Sequence, residues 1–331
     1  LRAAGQPVLV GGNLGLSLLP RLGEITPAHQ VVLELSSFQA DLLPPAPFLE
    51  RLVVTNVTQD HLDRYGEEAD YHRAKERMLG LVRPGGAVVV NRDDPVSRRW
   101  SLPPGVRAVA FGASPAAAGE VGLDGGELRS RLPEGEGPIL PLGEFPLPGA
   151  FQAENALAAA AAAILAGVAP AAAGRAIATF TGVDHRLQPL GRLGEVAIVD
   201  NGVSTTPETT ISALEALPGR VHLVAGGKSK GADPAPFAAA LGRLAASAHL
   251  FGRAAPGLGR EVDRHPPAGG WSLSEPLEEA LEKGLAACGP GETLLFSPGH
   301  SSFDAYLNFQ HRARAFRRWL EEKRKGRAPA V

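Results

Sequence analysis

The sequence predicts an α/β protein of two domains, each built on a mostly parallel sheet. Three observations support this prediction. The chain has 331 residues, which exceeds one ordinary domain. Short apolar runs alternate with helical stretches in both halves, an order typical of parallel strands joined by helices. Several runs are apolar throughout, as expected for strands covered on both faces.

The elements of the first half follow from local patterns. Residues 1–12 indicate the tail of a helix, a glycine stop and a strand. Buried strands are predicted at "VVLELSS", "RLVVTNV" and "AVVVNRDD", and helices over residues 71–82 and 153–166. The Gly- and Pro-rich residues 113–148 predict a small antiparallel excursion. Because "HRLQPLGRLG" has the composition of a linker, we expect domains over residues 1–184 and 185–331.

The second half repeats the alternation from about residue 193. In such sheets, ligands bind beyond the carboxyl ends of the strands, and most of the unusual polar residues of this chain fall there. The predicted elements, in order, are strand "VAIVDNG", helix "PETTISALEAL", strand "VHLVAGG", helix "PAPFAAALGRLAA", strand "AHLFG", helix "SEPLEEALEKGLAA", strand "TLLFSPG" and a final helix over 308–325.

Composition excludes several classes of function. The formal net charge of -2 and the pI near 6.6 argue against a nucleic-acid or membrane-surface partner. The lone cysteine, Cys288, excludes an intramolecular disulfide and fits a reducing compartment. No apolar run approaches the roughly 18 to 20 residues of a membrane span. We therefore expect a soluble, cytoplasmic protein without a signal peptide.

One lysine occupies an unusual position. Of 33 basic residues, 27 are Arg and six are Lys, so a retained lysine indicates that its primary amine is needed. In a helix predicted to begin at the N-cap Asp70, Lys75 falls on the apolar face beside Tyr71 and Met78. A lysine whose amine reaches water along an apolar surface is one interpretation. A buried amine instead requires an anionic partner or a chemical modification, and the nearby His61 favours that alternative.

The strings "VLELSSFQ", "NVTQDHLDRYG" and "YHRAKERM" together resemble the Mur ligase family. Further matches span residues 9–316: "GGNLG", "VVNRDD", "FTGVDHRLQ", "LVAGGKSKGADP", "LFGR" and "LLFSPGHSSFDAYLNFQHRARAF". "ELSSFQ" is most similar to the members that add glutamate to UDP-N-acetylmuramoyl-L-alanine. The resemblance implies a central ATPase-type domain followed by a Rossmann-like C-terminal domain. It also implies ATP-driven amide formation through an acyl phosphate, in peptidoglycan precursor synthesis, by a monomer that uses ATP and Mg²⁺.

The resemblance also assigns a metal site. It implies that Glu34 serves one magnesium ion, while His61 and Lys75 serve a second near the reacting carboxylate. The matching lysine of the family is often carbamylated, which turns an amine into the anionic oxygen ligand that magnesium prefers. The residues alone leave other interpretations open. Glu34 could be a paired core carboxylate, and Asp60 and Asp63, which flank His61, could be turn or cap residues.

Further roles come from the same resemblance. The implied substrate-binding residues are Asn13, Ser36, Gln39, Lys230, Ser302 and Phe309, and the implied ATP-binding residues are Asn155, Arg186 and Asn201. Five of these residues also have a structural alternative: a turn residue for Asn13, strand-end capping for Ser36, a surface lysine for Lys230, core packing for Phe309 and a charged hinge for Arg186.

The chain departs from the family pattern at three places. The first is the absence of a P-loop: "GGKSKGADP", which itself matches the family, is not one, because His222 stands where the P-loop pattern requires glycine. The family carries its P-loop and UDP-recognition domain upstream of residue 1, so this chain alone is expected to be inactive. In "DNGVSTTPE", Asn201, Gly202 and Val203 replace a motif that usually contains Asp-Ser-Lys. "GAFQAEN" keeps only Asn155 of a His-Asn pair, with Gln152 as a substitute.

These departures leave two alternatives to a glutamate-adding ligase. One is a folylpolyglutamate-type ligase, or one that takes another amino acid, although "ELSSFQ" argues against it. The other is a relative without a P-loop that binds a ligand and has no catalytic activity.

Overall fold

The computed structural model describes residues 1–14, 17–44, 46–58 and 60–327, without the side chains of Leu62, Asp63 and Arg327. The side chain of Asp63, named above as a turn or cap residue, and the last glycine of "GGNLG" therefore lie outside the described part. The chain forms two compact units, Leu1–Thr181 and Gly182–Val331. The sequence placed this division after residue 184, and the structure places it after residue 181.

The first unit contains a six-stranded and a two-stranded sheet. Its elements are β1 (Val8–Gly12), β2 (Gln30–Glu34), α1 (Ser37–Ala40), β3 (Leu49–Val54), α2 (Leu62–Tyr65), α3 (Glu68–Glu76), β4 (Val82–Asn91), β5 (Arg107–Gly112), β6 (Val121–Asp124), β7 (Glu127–Leu132), β8 (Gly135–Pro141), α4 (Ala150–Leu165) and α5 (Pro170–Ala178). The larger sheet has the order β3-β4-β5-β6-β7-β8, parallel as far as β6 and antiparallel from β6 to β8. The predicted antiparallel excursion is thus confirmed.

The core of the first unit lies between this sheet and α4. Buried alanines such as Ala160 and Ala161 let α4 lie close against Val89, Phe111 and Leu128 of the strands. A larger residue at the alanine positions would force the helix away from the sheet.

The small sheet departs from the prediction of a buried strand at "VVLELSS". Strand β2 pairs in parallel with β1, its only strand partner within the described ranges. Its apolar residues Val31, Val32 and Leu33 are between 37% and 43% exposed. The expectation that these residues are buried was therefore wrong, because a continuous apolar run does not specify what covers the strand.

Helix α3 also differs from its prediction. Its N-cap is Glu67 and its first residue is Glu68, whereas the sequence placed the N-cap at Asp70. Asp70 lies within the first turn and pairs with Arg73. From Arg77 to Leu81 the chain continues as a 3₁₀-helix, so the α-helix does not reach residue 82.

The second unit is a parallel sheet with helices between its strands. Its elements are β9 (Gln188–Leu193), β10 (Val196–Asp200), α6 (Pro207–Ala216), β11 (Val221–Gly226), α7 (Ala235–Leu244), β12 (Ser247–Phe251), α8 (Ala255–Val262), β13 (Trp271–Ser274), α9 (Leu277–Ala287), β14 (Thr293–Gly299) and α10 (Phe309–Arg327). The sheet order is β13-β12-β11-β14-β10-β9, parallel except for β9, which runs antiparallel to β10.

Three elements of this unit were not predicted. "HRLQPLGRLG" is not a linker, because Gln188–Leu193 forms the edge strand β9. Helix α8 and strand β13 were missed, since α8 has a proline at its start and two glycines that lower its helix propensity. Within the described ranges, none of the helices combines the length and apolarity needed to cross a membrane.

Candidate active site

Glu34 stands at the carboxyl end of β2, where the sequence predicted it, and is solvent-exposed. Asn13 Nδ2 donates to Glu34 Oε1 at 3.1 Å, and the Asn13 amide donates to the Glu34 carbonyl at 2.8 Å. Gly12 makes this approach feasible, because it has φ 91° and a Cβ there would lie 2.2 Å from that carbonyl oxygen. The ends of β1 and β2 therefore present an amide and a carboxylate together.

The segment after β2 folds into α1 through a capping box. Ser36 Oγ accepts a hydrogen bond from the Gln39 amide at 3.1 Å, and Gln39 Oε1 accepts one from the Ser36 amide at 3.0 Å. Ser36 thus caps the start of helix α1, rather than the strand end that its structural alternative named. A substrate contact by Ser36 or Gln39 would have to use polar groups of these residues that are not hydrogen-bonded in the capping box.

His61 lies in an aromatic cluster formed by α1, α2 and α3. Its ring centroid is 4.7 Å from that of Phe38 and 5.9 Å from that of Tyr71. It adopts φ 55°, a left-handed conformation that a residue with a Cβ rarely takes outside strained or functional positions. The Asp60 carboxylate accepts the His61 amide at 2.8 Å and lies 3.6 Å from its Nε2.

Lys75 contacts the same tyrosine. Its Nζ lies 5.0 Å from the centroid of the Tyr71 ring. Burial lowers the pKa of Lys75, and the charge of Asp60 opposes that change. Burial, with Asp60 and Tyr65, raises the pKa of Tyr71 to about 12, so Tyr71 stays neutral. His61 and Lys75 therefore both contact one buried phenol ring.

The chemistry of these donors fits a magnesium site that includes a carbamate. Within the described residues, no group of three or more His, Cys, Asp and Glu side chains could hold a metal ion. The predicted set contains one Glu, one His and a lysine, so it requires modification of Lys75 to supply further oxygen ligands. An amine reacts with CO₂ only when neutral, and the burial that lowers the pKa of Lys75 favours that form.

The predicted nucleotide-binding residues are divided between the units. In the first, Asn155 is exposed on α4 and its Nδ2 lies 3.4 Å from Gln152 Oε1. In the second, Arg186 is exposed, whereas Asn201 is buried and its amide is engaged at both ends. Asn201 Oδ1 accepts the Leu187 amide at 3.0 Å, and its Nδ2 donates to Ser297 Oγ at 2.9 Å. These contacts favour a scaffolding role for Asn201.

The predicted amino-acid-binding residues lie in adjoining loops beyond β11 and β14. The backbones of Lys228 and Ser301 exchange hydrogen bonds of 2.8 and 3.1 Å, which joins the loop of Lys230 to that of Ser302. Lys230 is exposed, Ser302 is buried, and Phe309 begins α10.

The sequence did not single out Tyr71 or Phe38, although both contact predicted site residues. Tyr71 was noted only as apolar, yet its position one helical turn before Lys75 was the available signal. The signal for Phe38 was its place between the cap residues Ser36 and Gln39 of "ELSSFQ".

Comparison with known proteins identifies the family. The family model described as the Mur ligase middle domain matches residues 15–163. The UDP-N-acetylmuramoylalanine–D-glutamate ligase of Symbiobacterium thermophilum is 37% identical over 326 residues, which cover 97% of this chain and 70% of that protein. This chain belongs to the Mur ligase family. The ligase of the same name from Acidobacterium capsulatum is 33% identical over 96% of this chain and 68% of its own length.

Solved Mur ligase structures share the fold. MurF from Acinetobacter baumannii superposes with a TM-score of 0.70 at 18% identity, over 96% of this chain and 71% of that one. MurF ligase from Thermotoga maritima, solved in complex with ADP, gives a TM-score of 0.69 at 18% identity, over 98% of this chain and 75% of that one. The predicted mixed α/β architecture with mostly parallel sheets is thus confirmed as a Mur ligase fold.

Proposed function

We propose that this protein is an ATP-dependent ligase that joins glutamate to UDP-N-acetylmuramoyl-L-alanine in peptidoglycan precursor synthesis. The observation that carries the proposal is the 37% identity to a D-glutamate-adding ligase over 97% of this chain. We assign ATP and magnesium to residues 1–184 and amino-acid binding to 185–331. We also propose that the protein is a cytoplasmic monomer whose partners are small molecules, and that it binds neither nucleic acid nor membrane. The net charge of -2 supports the last point.

Amide formation requires an activated carboxyl group. In the proposed reaction, the substrate carboxylate attacks the γ-phosphate of ATP and ADP leaves. The amine of glutamate then attacks the acyl phosphate, and phosphate leaves. Because the carboxylate and the triphosphate repel each other, the site has to gather cations around them.

Each group of residues has a part in this proposal. Arg186 supplies positive charge to the phosphates, and Lys230 binds the carboxylate of glutamate beside Ser302 and Phe309. Glu34 would hold one Mg²⁺ ion, and His61 with the carbamate of Lys75 would hold a second, and these ions would neutralise charge on the two anions. Asn13, Ser36 and Gln39 are assigned to the nucleotide sugar and Asn155 to ATP, whereas Asn201, expected from the resemblance to bind ATP, is assigned a scaffolding role because its amide is engaged within the protein.

The test is phosphate release by the full gene product with ATP, UDP-N-acetylmuramoyl-L-alanine and a panel of amino acids. We expect turnover with glutamate and the D enantiomer to be preferred, as the names of the relatives state. Turnover with a folate-type acceptor in place of the nucleotide sugar would identify a folylpolyglutamate-type ligase. If the protein consumes no ATP with any of these substrates, a non-catalytic relative is favoured and the proposal is refuted.

A further inference from the structure

The turn that carries Arg186 has an unusual backbone. Its neighbours His185 and Leu187 have φ values of 62° and 44°, in the left-handed region that favours glycine. Neither residue is a glycine, so the surrounding structure has to hold the turn in this conformation. Arg186 lies between them, and its amide donates to the Val183 carbonyl at 3.1 Å. The exposed side chain of Arg186 is therefore attached to a conformationally constrained backbone.

A buried carboxylate at the end of β10 holds this turn. Asp200 is fully buried, and its Oδ2 lies 2.7 Å from His185 Nδ1 and accepts Arg317 Nε at 3.0 Å. Its Oδ1 accepts the Gly202 amide at 2.9 Å. Asp200 therefore makes polar contacts to the turn, to α10 and to the loop after β10. A buried charge with this many partners is costly to disturb.

The partners of Asp200 complete the support. Arg317 also donates to Gln188 Oε1, which accepts the His185 amide at 3.2 Å. Leu187 is held separately, through its amide bond of 3.0 Å to Asn201 Oδ1. Each left-handed residue thus hydrogen-bonds to residue 200 or 201, at the carboxyl end of β10.

We propose that Asp200 is a positioning residue for ATP binding, which fixes His185 and so presents Arg186 to the phosphates. The inference rests on the proposed function, in which Arg186 contacts ATP. A guanidinium on a preorganised turn loses less conformational entropy when it binds an anion than one on a mobile turn. Asp200 touches no substrate in this assignment and acts through the turn alone.

The test compares Asp200→Asn with Glu292→Gln in the full gene product. Glu292 is a matched control, because His222 Nε2 and Arg220 Nε contact it at 2.7 and 2.6 Å. It lies beside the amino end of β14, whereas Asp200 closes the carboxyl end of β10. Both variants remove one carboxylate charge from a His and an Arg, and both should lower the melting temperature.

The two variants should differ in nucleotide binding. We expect Asp200→Asn to raise the KM for ATP and the Kd for ATP from calorimetry by about 10- to 100-fold, with a smaller change in kcat. Glu292→Gln should leave both constants unchanged. Arg317→Lys, which keeps the charge and loses the Nε contact, should reproduce the effect if Asp200→Asn does not fold.

Two results would contradict the inference in distinguishable ways. If the wild-type protein binds ATP and folded Asp200→Asn or Arg317→Lys binds it equally well, Asp200 is a stability residue and the inference fails. If the wild-type protein does not bind ATP, the proposed function fails, and the inference with it.

Discussion

Lys75 carries the most specific chemical prediction at the scale of a single residue. Its amine lies over the Tyr71 ring, and burial lowers its pKa, which favours the neutral form that CO₂ modifies. Arginine has no amine that could form a carbamate. Both Lys75→Ala and Lys75→Arg should therefore lower kcat of the full gene product by about 100-fold or more, the cost of removing charge stabilisation from a reacting centre.

The decisive readout is chemical rescue. Acetate or formate should restore part of the activity of Lys75→Ala, because removal of the lysine side chain would leave space for a small carboxylate in place of the carbamate. Neither should help Lys75→Arg, whose side chain fills that space. Lys283→Ala serves as the control, since Lys283 pairs with Glu279 on α9 of the other unit. Full activity of Lys75→Ala without any added carboxylate would refute the assignment of Lys75 to the site.

At the scale of an element, helix α8 allows one substitution to be compared at two positions. A Cβ at Gly259 would lie 2.4 Å from the Trp271 ring, whereas one at Gly257 would meet only the end of Arg260 at 3.9 Å. The Trp271 ring cannot swing away freely, because its Nε1 donates to Asp263 at 2.9 Å. The two glycines therefore differ in the space available to a methyl group.

The same mutation should thus have opposite effects in this helix. Gly257→Ala should raise the free energy of unfolding by about 0.5 to 1 kcal/mol, because alanine loses less conformational entropy than glycine when the chain folds into a helix. Gly259→Ala should lower it by about 1 to 3 kcal/mol, the usual cost of overpacking. Urea denaturation of both variants measures the difference. Equal changes in both would mean that α8 does not pack on Trp271 as described.

The elements also show how far local patterns determine the fold. Strands such as β4 of the first unit and β11 of the second were predictable, because continuous apolar runs between helices specify parallel strands. The exposure of Val31 and Val32 was not, because burial depends on what covers a strand. Strand β9 was read as a linker because Pro189 and Gly191 interrupt its β pattern, although it pairs locally with β10 in a hairpin that begins at Leu193 and Val196.

The candidate site was predictable to a similar degree. His61 and Lys75 followed from motif and helical spacing, and the structure places both beside Tyr71. The contact of Asp200 with His185 joins residues 15 positions apart across a left-handed turn. Neither composition nor periodicity encodes a contact of this kind, so only the folded chain reveals it.

At the scale of the whole molecule, the second unit contains a chain of buried hydrogen bonds that should make its stability depend on pH. Glu292, His222, Ser247, His249 and Ser272 are linked in that order by side-chain contacts of 2.7, 2.7, 2.8 and 2.9 Å. Each histidine can be neutral, with its Nε2 hydrogen donated and its Nδ1 accepting from a serine hydroxyl. Every donor in this arrangement points towards the Glu292 carboxylate.

Protonation of His249 disrupts that arrangement. Burial, with the charges of His222 and Lys283, lowers the pKa of His249 from 6.5 to about 4. Between pH 4 and pH 6.5 the unfolded chain therefore binds a proton at His249 that the folded chain does not bind. The contribution of neutral His249 to the free energy of unfolding is complete above pH 6.5 and falls towards pH 4. The loss between pH 7 and pH 5 is about 2 kcal/mol. Glu292, whose pKa is lowered to about 2, adds its own loss only at lower pH.

This prediction can be checked separately in each unit by hydrogen exchange, corrected for the intrinsic exchange rate at each pH. Between pH 7 and pH 5, protection of β11 and β12 should fall about 30-fold, which corresponds to the expected loss of free energy. Strands β4 and β5 of the first unit, which have a separate core, should not share that fall. His249→Gln should remove most of the change, whereas the same substitution at the exposed His265 should not. An unchanged pH dependence in His249→Gln would show that another group controls the acid sensitivity of this unit.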